Sequence, residues 1–344
     1  MAILVTGGAG YIGSHMVWAL LDAGHEVVVV DRLSTGFRWA VAPAARFYLG
    51  DVGDVVILEQ IFAENSIDAI IHFAGSIVVP DSVGDPLDYY DNNTGNTRTL
   101  LSTAIRAGIK NVIFSSTAAV YGTPDDCLPV KETALLRPEN PYGQSKLMTE
   151  IMLRDSARAY DFRYVALRYF NVAGADAHGR AGQSSKRATH LLKVACEAAL
   201  GEREGVDVYG TDYDTSDGTG VRDYIHVSDL VAAHLKALDY LSAGGASLVA
   251  NCGYGEGYSV LDVLKTVQKV SGRRFEIRRR DRRPGDAAYV VADPSLARTV
   301  LDWVPTHDSL EHIVETALKW ERRLVEVEGQ DIEALRKRLS AIWQ

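Results

Sequence analysis

Apolar residues follow two alternating patterns along the first half of this chain. Residues 2–6, "AILVT", are an almost unbroken apolar run that stops at glycine. A segment of helical period follows, with Ile12, Met16, Ala19, Leu20 and Ala23 near one face and Gly24 closing it. "EVVVVD" (26–31) is a second apolar run. Runs apolar at every position suit strands buried on both faces, and such strands separated by helices predict a parallel sheet. The alternation continues: "RFYLGDV" reads as strand, "VVILEQIFAE" as helix, "IDAIIHFAG" as strand, 86–108 as a long helix and "NVIFSS" as strand. A helix is predicted over 141–160, with Asn140 as N-cap and Pro141 in the first turn, and "YVALRYFN" as the strand after it. Residues 1–171 therefore read as a complete doubly wound α/β (Rossmann) sheet.

After residue 171 the texture changes. "VAGADAHGRAGQSSKRA" is rich in glycine and small polar residues and reads as loop. "THLLKVACEAAL" and "LVAAHLKALDYL" read as helices, and "VDVYG", "SLVANCG" and "RRFEIR" as short strands. "YSVLDVLKTVQKVSG" is an amphipathic helix ended by glycine. Residues 172–344 are predicted to form mainly a smaller α/β lobe, with some segments returning to the first sheet.

Composition narrows the function. Of 344 residues, 47% are hydrophobic and 24% charged, ordinary for a globular protein, and the formal net charge of −9 argues against nucleic acid or an anionic membrane as partner. The basic run "RRFEIRRRDRR" (273–283) reads either as a local anion site or as a solvated strand edge. Cys127, Cys196 and Cys252 fit no metal spacing and read as free thiols in a reducing compartment. No stretch is apolar for long enough to span a bilayer, and the start of the chain lacks a signal-peptide pattern, so the expected location is the cytoplasm.

Two motifs carry chemistry. "TGGAGYIG" places Gly7, Gly10 and Gly13 between a first strand and a first helix. There glycines permit a tight turn, close approach of backbone to a pyrophosphate, and contact between helix and strand. Asp31 ends the second strand, where a ribose hydroxyl needs an acceptor and where a carboxylate repels a 2′-phosphate, so NAD is the expected cofactor. Arg32 next to it leaves NADP open. The second motif is "NPYGQSK", which sets Tyr142 and Lys146 one helical turn apart. A free tyrosine is roughly 0.1% ionised at pH 7, so a working base needs about 4 kcal/mol of phenolate stabilisation. A neighbouring ammonium and the positive ring of an oxidised nicotinamide supply charge of the right sign. Thr117, ahead of this pair, can hold a substrate hydroxyl. By spacing alone, the pair also reads as a half-buried tyrosine and a solvated lysine on an ordinary helix.

With "TGGAGYIGSH", "HFAG", "YYDNN", "FSSTAAVYG", "PYGQSK", "RYFN" and "DGTGVRDYIHVSDL" in this order, the chain resembles the extended short-chain dehydrogenase/reductase family from residue 2 to about 325. Within that family it is most similar to the UDP-glucose 4-epimerases. The resemblance implies a two-lobed fold and a homodimer formed through helices near 92–108 and 146–160. It also implies redox-neutral inversion at C4 of UDP-glucose or UDP-galactose through a 4-keto sugar, with NAD regenerated in each cycle. It assigns Tyr142 as base, Lys146 as the group that tunes it and binds ribose, and Thr117 as sugar ligand. Tyr11, Ile12 and Asp31 would touch the dinucleotide, Asp51 and Val52 its adenine, Phe73, Ala74 and Gly75 its channel, and Asn92 would lie close by. Phe170 and Asn171 would line the site between cofactor and sugar. For the UDP, Arg222 and Arg283 match phosphate ligands, Asp286 a ribose or uridine contact, and Tyr209 a neighbour of uracil. An arginine of either kind also reads as a surface ion pair.

The chain departs from the family pattern at three places. Ile77 stands where members often carry a cofactor-binding lysine. His190 replaces an amide near the phosphates, which would make that contact pH-sensitive. Val290 falls where some members have tyrosine and others a small residue, and a small residue leaves room for N-acetylated hexosamines; a shift of one would put Tyr289 there instead. Ala118 and Ala119 lack the acids a sugar-nucleotide dehydratase or a decarboxylase needs after Thr117. UDP-pentose or UDP-uronate 4-epimerisation shares the chemistry and stays open, and a non-catalytic dinucleotide sensor is the alternative of another class.

Overall fold

The computed structural model describes residues 1–124, 126–185, 189–283 and 285–328. Ala188 of "ATHL", Pro284 of "RRPGD" and residues 329–344 of the second lobe lie outside the described residues.

The first half alternates as its apolar pattern requires. β1 (Ala2–Thr6), α1 (Tyr11–Asp22), β2 (Glu26–Asp31), β3 (Arg46–Leu49), α2 (Val55–Glu64) and β4 (Ile67–His72) come first. α3 (Val79–Gly84) and α4 (Pro86–Tyr89) then lead through a π-helical turn (Tyr90–Gly95) into α5 (Asn96–Arg106), so the predicted helix over 86–108 exists with a π segment inside it. β5 (Asn111–Thr117), α6 (Pro141–Ala159) and β6 (Arg163–Tyr169) complete this half. The second half runs β7 (Asn171–Ala173), α7 (Leu191–Leu200), β8 (Gly205–Tyr209), β9 (Val221–Arg222), β10 (Tyr224–His226), α8 (Val227–Ser242), β11 (Leu248–Cys252) and β12 (Tyr258–Ser259). It ends with α9 (Val260–Ser271), β13 (Glu276–Arg280), β14 (Tyr289–Val290), α10 (Ser295–Val300) and α11 (Leu310–Glu328).

Seven strands form one parallel sheet in the order β11-β6-β5-β4-β1-β2-β3. Strand order reverses between β1 and β4, and the crevice at their carboxyl ends is where such sheets bind ligands. Side chains alternate across the sheet. Ile3, Val5, Val29, Ile71, Ile113 and Leu167 pack on one face with Met16, Val17 and Leu20 of α1 and Leu230 and Val231 of α8. Leu4, Val28, Val30, Ile70, Val112 and Phe114 pack on the other with Leu58 and Ile61 of α2, Leu100 and Leu101 of α5, and Leu153 of α6. Each such side chain stabilises the fold by about 1.5–3 kcal/mol relative to exposure.

The face expected for α1 is displaced. Met16 and Leu20 are buried, but Ala23 is exposed and Ile12 and Ala19 are half-buried, while Gly13, Ser14, His15 and Val17 are buried in their place. The physical cause is that α1 packs against α8 as well as the sheet, a neighbour the local pattern does not reveal, while Gly13 lies against the Gly7 turn. The other lobe is built of small sheets: β13 with β8, β12 with β9 and β14, and β10 with β7. Two of its later segments rejoin the main sheet, β11 as an edge strand and α8 as a covering helix.

Candidate active site

The turn after β1 has no room for side chains. Gly7 has φ +71°, in the left-handed region, and a Cβ there would lie 2.7 Å from the Ala74 nitrogen. A Cβ on Gly13 would lie 2.1 Å from the Gly7 carbonyl oxygen. Gly10 is the N-cap of α1 and makes no side-chain cap, so the first amides of the helix point from a bare backbone turn. A bare turn of this kind at a helix start can cradle a pyrophosphate. Tyr11 donates its hydroxyl to the Gly174 carbonyl oxygen at 2.7 Å, which ties the cradle to the second lobe.

Asp31 accepts from Ala9 N at 2.9 Å and Leu33 N at 2.7 Å, so its carboxylate is held at the rim of the cradle with lone pairs left for a ribose hydroxyl. Arg32 is turned away onto Asp51, Nη1 to Oδ2 at 2.8 Å, which removes the one guanidinium that favoured a 2′-phosphate. Asp51 also accepts from Gly53 N at 2.8 Å and Asn96 Nδ2 at 3.0 Å. Asn92 donates to Ser76 Oγ at 2.8 Å, beside Phe73, Ala74 and Gly75. The Phe73 ring packs on His234 of α8, 4.9 Å between centroids. Val52 is a core residue of the α2–α5 face, and Ile77 is 51% exposed. The glycine cradle and the Asp31 carboxylate fit an NAD.

α6 begins as its sequence dictates: Asn140 caps it, accepting from Gly143 N at 2.9 Å, and Pro141 fills the first turn. Tyr142 and Lys146 both point inward and are buried. The Lys146 ammonium donates to the Ser115 carbonyl oxygen at 3.0 Å and stands 5.0 Å over the Phe114 ring. A Cβ on Gly75 would be 3.7 Å from Lys146 Nζ, so the "HFAG" and "YGQSK" motifs meet here. Burial pushes the Tyr142 phenol up to about 12, against a hydrogen bond from Thr117 that pulls it down. Burial also pushes Lys146 down to about 8. The tuning by Lys146 that the spacing suggests is thus outweighed by desolvation of both groups in the protein itself. Thr117 ends β5, and its hydroxyl also accepts from Ala119 N at 3.2 Å.

The residues expected to contact UDP lie in the second lobe. Arg222 in β9 pairs with Asp286 and donates to the Val221 carbonyl oxygen at 2.8 Å. The Arg283 guanidinium lies 3.7 Å over the Tyr209 ring, so these two expected UDP contacts cover each other. Phe170 is buried with Ala118, Val120, Tyr121 and Ala292, and Val290 packs against the same cluster; Asn171 is exposed at the start of β7. His190 occupies the N-cap position of α7 without a side-chain cap bond, exposed, its Nδ1 2.8 Å from Gln183 Nε2. His190, Gln183 and Lys193 line one shallow cleft with Tyr11 and Gly174, which joins the expected cofactor and phosphate contacts.

A model of the NAD dependent epimerase/dehydratase family matches residues 3–253. The chain belongs to this family. It is 56% identical over 328 residues to a UDP-glucose 4-epimerase of Azospirillum brasilense, covering 95% of this chain and 94% of that protein. Among solved structures, UDP-glucose 4-epimerase from Brucella ovis in complex with NAD superposes with TM-score 0.90 at 43% identity, covering 93% of this chain and 98% of that one. The enzyme from Bifidobacterium longum in complex with NAD+ and UDP gives TM-score 0.89 at 40% identity, over 94% and 98%. An epimerase/dehydratase of this kind uses NAD, and the cradle described above is built for it.

Sequence reasoning passed over several buried polar residues of this epimerase/dehydratase site. Asp223, next to Arg222, is fully buried and accepts from Tyr254 N at 2.9 Å, Gly255 N at 2.9 Å and Ala292 N at 3.2 Å. His72 lies behind Lys146, bonded to Thr6 Oγ1 at 2.6 Å and Thr97 Oγ1 at 2.8 Å; burial and the Lys146 charge push it down to about 3. Asn93 joins Ser76 to Ser145 on α6. They stand in the motifs "HFAG", "YYDNN" and "GVRDYIH", but nothing local in the sequence marks their side chains as buried. Among the described residues no helix is long and apolar enough to cross a membrane.

Proposed function

We propose that this chain inverts C4 of a UDP-sugar, with UDP-glucose and UDP-galactose as its principal pair. The observation that carries the reading is that Tyr142 and Lys146, one turn apart on α6, are both buried against the end of β5, where Lys146 donates to the Ser115 carbonyl oxygen at 3.0 Å. NAD, when bound, supplies a hydride acceptor and donor at C4 and a positive ring beside the phenol. Thr117 Oγ1 holds the 4-hydroxyl of the sugar while Tyr142 Oη takes its proton, and the same oxygen returns the proton once the 4-keto sugar has turned over. The Lys146 ammonium, one turn away, has the sign of charge that stabilises the phenolate when it forms. Arg222 and Arg283 clamp the diphosphate, with Asp286 and Tyr209 at the uridine, so the sugar is held through its nucleotide and free to rotate. Ala118 and Ala119 offer no acid or base, which leaves elimination of water without a catalyst.

In this reading residues 1–171 bind NAD, the rest of the chain mainly binds the UDP-sugar, and the reaction runs in the cytoplasm. A homodimer would form through α5 and α6; Leu100, Leu101, Ile105 and Leu147 pack inside the chain, and Ile151, 39% exposed, is the apolar residue left for a partner. A second reading, acceptance of N-acetylated UDP-hexosamines, is favoured by Val290: it packs beside Phe170 and Ala118, whereas Tyr289 precedes it on the opposite side of β14.

The test is to incubate the purified protein, without added NAD, with UDP-glucose, UDP-GlcNAc, UDP-xylose and UDP-glucuronate separately. UDP-galactose is expected from UDP-glucose, with no net reduced nicotinamide. Stoichiometric reduced nicotinamide, or no C4 epimer from any of the four, would overturn the reading. UDP-glucose turnover without UDP-GlcNAc turnover would remove the second one.

A further inference from the structure

Glu150 lies one turn beyond Lys146 and two beyond Tyr142 on the same face of α6. Its carboxylate is buried, and Arg168 of β6 meets it with two donors, Nε to Oε1 at 2.9 Å and Nη2 to Oε2 at 2.6 Å. Two further contacts reach the strand and turn that carry Thr117. Ser116 Oγ, the residue before Thr117, donates to Glu150 Oε1 at 2.5 Å. Arg168 Nη1 donates at 3.0 Å to the hydroxyl of Tyr121, in the turn after Thr117. Tyr121 in turn donates to Asn251 Oδ1 at 2.6 Å, and Asn251 is fixed by Val130 O at 2.8 Å and by Glu132 Oε1, which accepts its backbone N–H at 2.8 Å.

One buried ion pair therefore grips the helix of the proposed base and the chain on both sides of Thr117. Such a pair gives little net stability over a well-packed apolar substitute, and its attested use is to fix one arrangement among several. Here that arrangement is the rotation of α6 against β5. We infer that Glu150 and Arg168, with Tyr121, are positioning residues that set the separation between Thr117 Oγ1 and Tyr142 Oη. The inference rests on the reading of Tyr142 as base and Thr117 as the ligand of the sugar hydroxyl. A small error in that separation is costly, because a shift of about 1 Å from a reactive geometry lowers rate by on the order of 100-fold.

The other titratable groups facing Tyr142 and Lys146 are Tyr169 from β6, Tyr89 from the end of α4 and His72 from β4. Neither Glu150→Gln nor Tyr121→Phe alters any of them. In each variant, kcat per NAD-loaded subunit is measured across pH, with KM for UDP-glucose, NAD content and Tm. Glu150→Gln is expected to lower kcat roughly 10- to 100-fold, with KM within about twofold; it also leaves the Arg168 charge unpaired, so the direction of the pH shift is read in Tyr121→Phe. Tyr121→Phe uncovers no charge and is expected to fold normally, with a smaller loss of kcat and the acidic limb of its profile moved to higher pH as Thr117 and Tyr142 lose their fixed separation. If either folded variant keeps the wild-type kcat and pH profile while only Tm falls, the positioning role is overturned. If Glu150→Gln does not fold, Tyr121→Phe decides alone. A Tyr142→Phe control separates the two claims: an active control sinks the reading of the base, whereas an inactive control beside unaltered Tyr121→Phe sinks only the positioning.

Discussion

At the scale of single residues, burial and hydrogen bonding act in opposite directions on the proposed base. Burial holds the Tyr142 phenol near 12 and Thr117 draws it lower. Removing the hydroxyl in Thr117→Val deletes about 0.5–1.5 kcal/mol of hydrogen bonding. The phenol then ionises at higher pH, so the acidic limb of the kcat–pH profile is expected to move up, and kcat at neutral pH to fall a few-fold or more. Asp223 shows the same balance: burial raises its carboxyl to about 6 despite its three backbone donors. A raised carboxyl pKa favours the protonated fold, so its contribution to stability is full below about pH 4 and is lost as pH rises through about 6. Melts of Asp223→Asn over that range are expected to lose this slope. They should also show an overall loss of about 1–3 kcal/mol, since one amide oxygen cannot serve every donor the two carboxylate oxygens accept from.

At the scale of elements, caps and turns carry predictions that do not involve the chemistry. Asn140→Ala should cost about 0.5–2 kcal/mol in a denaturant titration, by freeing the Gly143 amide at the start of α6. Gly13→Ala should cost the cofactor, because the added carbon would strike the Gly7 carbonyl and open the cradle; NAD content after gel filtration reads this directly. The elements that the sequence made legible are those with a strong period and a punctuated end: "EVVVVD", "VVILEQIFAE" and the α6 segment with its cap. β9, β10, β12 and β14 were not legible, because two or three residues carry no period. The strand expected in "RRFEIR" begins three residues later, at Glu276, since its register is set by β8 and not by its own residues. The face of α1 was misplaced for a similar reason, its second neighbour α8 being more than 200 residues away in the chain.

At the scale of the whole molecule, the strand order brings distant motifs to one crevice. The glycine turn and the Tyr142 helix were legible because each repeats a local requirement, a bare backbone or a one-turn spacing, whereas "HFAG" was marked only by the family resemblance. The Glu150–Arg168 pair was not, because its members are unremarkable residues until β5, β6 and α6 are stacked. The proposed dimer also belongs to this scale. Sedimentation is expected to give twice the chain mass, and Ile151→Glu to shift it toward one chain; a wild-type monomer at micromolar concentration would remove α6 as an interface. The central claim, that one buried phenol moves the proton of the sugar hydroxyl, is tested most directly by turnover of UDP-glucose in Tyr142→Phe with NAD content measured on the same sample. The account predicts an unchanged cofactor load and a rate lower by about 100- to 10,000-fold; a loaded variant turning over within a few-fold of wild type would contradict it.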